Sequence, residues 1–310
     1  MTGAPQIFDS ALIRKRRDRF AHGATAHDFL LRRTAEDLFE RLAIVRRTFA
    51  AGVSAGSYHG VVSRALRQAA NVVSMTDIET SAALLAQCDG PRIAADAEAL
   101  PLEPESVDLI VSGLAWQLVN DLPGILAQAR RALKPDGLLL ASLLGGETLK
   151  ELREAWLLAE SDVSAGASPR VAPFADIRDL GALLQRAGFA LPVADCDSFR
   201  VTYDSPLALM KDLQAMAASN MLVERRRIPV TRGLLLRAAE IYSERFALAD
   251  GRIPATFEII TLTAWVPHAS QQKPLQPGSA KARLADILGV REVSAGERAD
   301  ISPADRAAKE

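Results

Sequence analysis

The string SVDLIVSGLAW, from Ser106 to Trp116, is apolar without alternation, and it constrains the fold more than any other stretch of the chain. A strand with one wet face alternates apolar and polar residues, whereas a strand covered on both faces reads as a continuous apolar run. LPGILAQARRALKPDG follows, with apolar residues at helical spacing and a stop at Pro135 and Gly137; then comes a second buried strand, LLLASLLGG. Two fully covered strands joined by a helix make a parallel crossover unit. The class this predicts is α/β, with a doubly wound, mostly parallel sheet and helices on both faces.

Two shorter strand candidates precede this unit: NVVSMTDI (Asn71 to Ile78), with an acid near its end, and PRIAAD (Pro91 to Asp96). Ser10 to Leu42 reads as helical, with Leu30, Leu31, Ala35, Leu38, Phe39 and Leu42 on one face. Within it IRKRRDR (Ile13 to Arg19) is a basic cluster, read first as a solvated helix face and second as a contact for an anionic ligand or acidic partner. Downstream, FADIRDLGALLQRAGF is a helix, and PVADCDSFRVTY and TFEIITLTAWVP have strand composition. The expected organisation is a helical segment over residues 1–48, a sheet domain over 49–269 and a mobile tail over 270–310. A helical insertion over about 206–250, carrying the basic elbow ERRRIP, falls before the last strand.

Composition narrows the function classes. Of 310 residues, 37 are Lys or Arg and 38 Asp or Glu, so no global field favours nucleic acid. Cys88 and Cys196, the only cysteines, are far apart and outside any CxxC pair, which argues against a disulfide framework or a structural zinc. Both read as buried small residues. None of the four histidines (His22, His27, His59, His268) forms an H-x-D/E pair, so no metal site is expected. The N-terminus is charged where a signal peptide is apolar, and no apolar run reaches spanning length. A cytoplasmic location follows as the expectation, with peripheral membrane association left open.

In a doubly wound sheet, ligands lie beyond the carboxyl ends of the strands near the topological switch point. Three strand ends carry suitable groups. AGVSAGSYHGVV (Ala51 to Val62) supplies Gly52, Gly56 and Gly60, with His59 inside the loop, either as a site residue or as a loop histidine bonded to backbone or solvent. Asp77 can accept ribose hydroxyls; the alternative is a cap on the following helix. Asp96 ends a strand and opens a proline-punctuated loop, ADAEALPLEPE. Trp116 is read as an aromatic wall for a ligand or as core packing.

The segment ADAEALPLEPESVDLIV together with ARRALKPDGLLLAS resembles the class I S-adenosylmethionine-dependent methyltransferases. Further segments narrow the resemblance: FDSALIRKRRDRFA, HDFLLRRTAEDLFERL, the run from LAWQLVNDLPG through GGETLKELREAW, DLQAMAASN, and DGRIPATFEIITLTAW. They are similar to the mitochondrial complex I assembly factor 5 family with its alphaproteobacterial relatives, and to the malonyl-carrier-protein methyltransferases of biotin synthesis. The resemblance runs from about Ile7 to the QPGSA of the tail.

It implies a Rossmann-like fold with a seven-stranded sheet, and S-adenosyl-L-methionine as cofactor. Carried over by position, Ser54, Gly56, Ser57 and Gly60 match the cofactor loop, Asp77 with Ile78 the ribose end, and Asp96 with Ala97 the adenine contacts. Leu114 and Trp116 match the positions facing cofactor and substrate. Ser54 departs from the family, which has Asp or Glu there; losing a charge-assisted partner costs about 1.5–3 kcal/mol if uncompensated. The Asn/Asp-Pro-Pro-Tyr motif of amino-group nucleic-acid methyltransferases is missing. The implied function is therefore a methyltransferase or protein-modifying enzyme acting on a protein partner, such as a complex I subunit, and not on nucleic acid. Alternatives are arginine hydroxylation, a non-catalytic chaperone role in complex I assembly, and O-methylation of a carrier-linked carboxylate.

Overall fold

The computed structural model describes residues 6–163, 166, 168–272, 286 and 288–290. Seven strands form one sheet: β1 Gly52–Ala55, β2 Met75–Glu79, β3 Arg92–Ala94, β4 Val107–Gly113, β5 Leu133–Leu144, β6 Ala190–Tyr203 and β7 Ile253–Trp265. Their order is β3-β2-β1-β4-β5-β7-β6. The first five are parallel, and β7 enters antiparallel between β5 and β6. The Rossmann-like sheet implied by the sequence is the one observed. The order reverses between β1 and β4, which puts the switch-point crevice over the carboxyl ends of those two strands.

All seven residues of β4 are buried, as a strand roofed on both faces must be. On one face α5 (Leu122–Ala132) and α7 (Ile177–Arg186) close a core around Ile110, Ile125, Leu126, Leu139 and Leu184. On the other, α2 (Phe29–Ala43) and α3 (Val61–Leu66) pack Leu38, Leu42, Leu66 and Phe49 against Leu109 and Leu138. The helix expected from Ser10 to Leu42 is two: α1 (Ser10–Phe20) and α2, separated by a tight turn at Ala21–Ala26. Gly23 lies in that turn, where its backbone freedom makes helix propagation costly.

A third apolar cluster stands beyond the carboxyl end of the sheet. It joins α6 (Lys150–Val163), α8 (Pro206–Ala215) and α9 (Arg232–Phe246) to the start of β7 through Trp156, Leu213, Tyr242 and Phe257. α8 and α9 both lie between β6 and β7. The N-terminus is fastened to the same connection. Asp9 N–H donates to the Met221 carbonyl at 2.9 Å, Val223 N–H to the Ile7 carbonyl at 2.9 Å, and Asn120 Oδ1 accepts both Ile7 and Phe8 N–H at 2.8 Å.

By its internal contacts the chain divides into Met1–Ala269 and Ser270–Glu310. The first unit holds the sheet together with α1 and α2. The tail expected over 270–310 lies almost wholly outside the described residues. Among the described residues no helix is long and apolar enough to cross a membrane.

Candidate active site at the switch point

The loop after β1 is tied to the end of β2. Gly56 and Ser57 N–H groups donate to the Ile78 carbonyl at 2.8 and 3.0 Å, and Ser57 Oγ donates to the Ser54 carbonyl at 2.8 Å. Gly56 has φ +74°, and a Cβ built there would stand 2.2 Å from Ala115 Cβ. Backbone conformation and closeness to the turn after β4 therefore both demand glycine. Gly60, at φ +81°, caps α3. Ile78 serves the loop through its carbonyl while its side chain is in the core. Ser54 Oγ is buried with no partner in the protein.

The acid expected at the ribose position is tied into the sheet interior. Asp77 is not at the strand end: it pairs in register with Ser54 and Arg92, is fully buried, and bonds Arg67 Nη2 through Oδ2 at 2.6 Å. Neither it nor the next acid along the strand, Glu79, lines a cavity described below. The terminal acid of β2 is Glu79, two residues on and 1% exposed. Glu79 Oε1 accepts Arg17 Nη1, Thr80 N–H and Ser81 N–H, each at 3.0 Å, and Oε2 accepts Tyr58 N–H at 2.9 Å. A carboxylate this rich in donors is held in a fixed orientation.

Arg17 is the one member of the basic cluster that the packing of α1 buries at this carboxylate, at 4% exposure. Its guanidinium lies 4.3 Å from the Tyr58 ring centroid and bonds the Tyr58 hydroxyl at 3.0 Å. Burial opposes the charge on Arg17, but Tyr58 and Glu79 outweigh it and leave the cation strongly favoured. Burial also pushes the Tyr58 phenol above its ordinary range. The phenol O–H donates to the Leu114 carbonyl at 2.6 Å.

Two cavities flank this cluster. The first, about 220 Å³, is walled by Thr80, Asp96, Ala97, Ala115 and Val119 on the sheet side and by α1 residues, including Arg17, on the other. Asp96 and Ala97 are exposed at its mouth, and Asp96 Oδ1 accepts Glu98 N–H at 2.8 Å. The second, about 360 Å³, is a largely apolar chamber under the helices of the third cluster, with Tyr58, His59, Leu114 and Gln117 at its floor. Arg17 and Leu118 line both. Leu114 faces the chamber from a strained φ of +52°. Trp116 does not: it is 2% exposed and packs into the core with Ile125 and Leu126, so its expected role as an aromatic wall is replaced by core packing.

His59, read as a loop residue, is buried and faces Asp28 Oδ2 through Nε2 at 3.0 Å. Burial raises the Asp28 carboxyl, but hydrogen bonds from Arg32 and His59 overcome it and hold the group below its ordinary value. On the far wall His27 Nδ1 stands 2.5 Å from Asp212 Oδ1. Cys88 is buried as expected of it, while Cys196 is exposed. No cluster of metal-ligating side chains occurs among the described residues.

Of the residues singled out in the sequence, Asp96 and Ala97 line the first cavity and Leu114 the second, while Gly56, Ser57 and Gly60 shape the loop after β1; the sequence did not single out Glu79, Arg17, Asp28 or Gln117. The signal available for Glu79 was its position as the second acid in MTDIE. The others come together only through packing of α1 and α2.

Comparison with known proteins agrees with this geometry. The family described as Methyltransferase domain matches residues 53–141. "Arginine-hydroxylase NDUFAF5, mitochondrial" of Danio rerio is 35% identical over 291 residues, covering 91% of this chain and 89% of the relative. "Malonyl-[acyl-carrier protein] O-methyltransferase" of Methylovorus sp. (strain MP688) is 35% identical over 283 residues, covering 87% of this chain and 93% of the relative. A solved putative methyltransferase from Bacillus halodurans superposes with a TM-score of 0.52 at 17% identity, covering 75% of this chain and 98% of its own, a likeness of fold. The chain belongs to the methyltransferase-fold family that unites the NDUFAF5 arginine hydroxylases with the malonyl-carrier-protein O-methyltransferases.

Proposed function

We propose that this protein is an S-adenosylmethionine-dependent enzyme that modifies a protein-borne side chain during maturation of respiratory complex I. The observation that carries the reading is the pair of cavities that share Arg17 and Leu118, with Arg17 paired to the buried Glu79: a polar crevice on one side and an apolar chamber on the other.

The residues present fit an S-adenosyl group. The Gly56 cradle leaves no room for a side chain, Glu79 ends β2 with a fixed carboxylate, and Asp96 and Ala97 stand at an open cavity of about 220 Å³. Glu79 would accept the ribose hydroxyls, and Asp96 with Ala97 would meet the adenine; Ser54, Gly56, Ser57 and Gly60 would border the amino-acid end. When bound, the cofactor supplies an electrophilic methyl group on a sulfonium. For the ribose to reach Glu79, the Arg17 guanidinium has to give up its 3.0 Å bond. The chamber's task is to hold the partner's side chain in line and keep water out, which is most of what group transfer from a sulfonium asks of a protein.

The partner assigned here, a complex I subunit, rests on the resemblance to the assembly-factor family and on relatives named arginine hydroxylases. With such a partner the location we infer is cytoplasmic, within reach of the inner face of the membrane. In calorimetry S-adenosylmethionine should release heat with the wild-type protein and none with Glu79→Ala; a well-folded wild type giving no heat sinks the cofactor assignment. Mass spectrometry of complex I subunits from a deletion strain reads the reaction directly: a missing methyl or a missing oxygen identifies it, and unchanged subunits overturn the role.

A further inference from the structure

Two basic motifs stand far apart in the sequence, IRKRRDR on α1 and ERRRIP between α8 and α9, and only Arg17 of the first enters the chemistry above. The fold brings them together. Arg16 Nη1 donates to the Ser219 carbonyl, 203 positions away, and to the Asn220 carbonyl, each at 2.8 Å. Arg225 Nη2 pairs with Asp9, the residue capping α1, at 3.1 Å. The backbones interlock as well, since Phe8 and Leu222 form an antiparallel bridge. α1 and residues 219–227 thus make one continuous face.

That face is short of acid. Arg16, Arg225, Arg226 and Arg227 stand on it, with Arg19 on the same side of α1 as Arg16, against Asp9 and Glu224. The other charges near the ends of α1 turn elsewhere: Arg14 lines the first cavity, and Asp18 accepts Ser81 Oγ at 2.6 Å. Crowding shows in the proton affinities. Burial first, and then the Arg225 charge, draw Arg16 below its ordinary value. The Leu12 N–H, against burial, holds the Asp9 carboxyl low, and Arg225 and Arg227 add to that. Arg226 bonds the Gly166 carbonyl at 3.0 Å, and Arg227 has no hydrogen bond or ion pair among the described residues. The whole chain carries a net charge of −1, so the surplus is local.

Apolar surface lies beside it. Ile228 is 77% exposed and Val230 40%. Val230 also lines the chamber, together with Phe20, Ser219, Asn220 and Met221. The arginines therefore stand at the rim of the chamber. Arginine beside exposed aliphatic side chains is a composition that suits a protein-binding surface. Unmatched guanidinium groups attract a partner of opposite sign and set its orientation. A membrane pressed on this rim would seal the chamber, whereas a protein can lower a side chain through it.

We propose that Arg225, Arg226 and Arg227, with Arg16 and Arg19 of α1, form the docking surface for an acidic face of the partner protein, and that Ile228 is its apolar contact. This rests on the reading above, in which the guest is borne by a protein, and adds where that protein sits and what charge it presents.

The test uses the full chain without cofactor and follows the fluorescence anisotropy of a labelled twelve-residue peptide of glutamate and leucine. Binding should saturate, weaken as salt rises, and be about tenfold or more tighter than for the same peptide with lysine replacing glutamate. Arg226→Glu with Arg227→Glu should weaken it about tenfold or more, and Ile228→Ser severalfold. The matching reversal on another face, Arg178→Glu with Arg186→Glu on α7, should leave it within about twofold. All five positions are exposed, so folding is not at stake. Three results overturn the proposal: no saturable binding of the acidic peptide, equal losses from the two reversed pairs, or equally tight binding of oligothymidylate or of vesicles containing one-quarter phosphatidylglycerol. Neither cofactor nor turnover is involved, so this result is separable from the calorimetric one. A protein deaf to S-adenosylmethionine that binds the acidic peptide keeps this surface and loses the cofactor reading, and the converse overturns only the surface.

Discussion

The two cavities at the switch point are built by opposite means. The nucleoside-side crevice is made of strand ends and the turns that follow them: Thr80 after β2, Asp96 and Ala97 after β3, Ala115 after β4. Its mouth is polar and open. The chamber is floored by the loop after β1 and roofed by α6, by residues 170–174 and by the connection holding α8, segments far apart in sequence. A parallel sheet supplies the first almost automatically, because backbone N–H groups and strand-terminal side chains converge there. The second depends on what the chain lays across the top. Recognition shared by the fold belongs to the strand ends, and choice of guest to the appended helices.

That division can be attacked at the Arg17–Glu79 pair that the two cavities flank. The largest effect should come from Glu79→Gln, which keeps the shape and removes the charge. Loss of charge-assisted bonds worth about 1.5–3 kcal/mol each should weaken S-adenosylmethionine binding tenfold to hundredfold or more. It also leaves Arg17 buried beside a neutral partner, so the denaturant midpoint should fall by an amount equivalent to about 3–5 kcal/mol. A folded Glu79→Gln protein that keeps full cofactor affinity would remove Glu79 from the cofactor site.

Asp77→Asn should separate folding from binding. It breaks the 2.6 Å pair with Arg67 in the sheet interior, and a stability loss of about 3 kcal/mol is expected in chemical unfolding. The cofactor affinity of the folded fraction should be unchanged; a hundredfold drop would return the ribose role to Asp77. Trp116→Ala belongs with it, costing about 3–5 kcal/mol through the cavity it leaves, with little change in ligand affinity.

A smaller effect of opposite sign is expected from Arg17→Met. Removing the guanidinium that occupies Glu79 should tighten S-adenosylmethionine about tenfold, equivalent to about 1.4 kcal/mol, while lowering thermal stability. Weaker cofactor binding in a folded Arg17→Met protein would show that Arg17 helps the ligand and does not compete with it.

The smallest is an acid effect on the chamber. The folded-state pKa of Asp28 lies below its ordinary value of 3.8, so the folded chain binds this proton less readily than the unfolded one. The stabilisation is present above pH 3.8 and is lost as pH falls through the lower folded value. The ring resonances of His59, whose Nε2 faces Asp28, should move over that interval, before far-ultraviolet circular dichroism changes. A flat profile down to global unfolding would remove Asp28 from the site.

How much of this could be read from the chain follows the same division. β4, α5 and β5 were legible because burial on two faces writes itself into an uninterrupted apolar run, and Gly56 and Gly60 because no other residue takes their backbone angles so cheaply. Which acid of β2 stands at the strand end was not legible, since MTDIE offers acids at both positions of one strand face and only the sheet register shows where the strand ends. Trp116 offered no local sign of its direction: an indole just past a buried strand suits a cavity wall or the core, and only the packing against Ile125 and Leu126 decides for the core. Arg17 was hidden in plain composition. Seven residues of mostly basic sequence read as a solvated face, and nothing local says which one α1 will press onto a carboxylate 62 positions away. The His59–Asp28 pair, 31 residues apart, is likewise a product of tertiary packing.

The hairpin of β6 and β7 has a consequence for how such a molecule can diversify. Tyr203 and Ile253 are register partners at the far end of a long antiparallel ladder, so the entire connection between them begins and ends at one fixed point. Closing a loop there costs only about 0.6 kcal/mol more for each doubling of its length. The roof of the chamber can therefore be lengthened, trimmed or exchanged with the sheet scarcely affected, and a lineage can try new guests without renegotiating its fold.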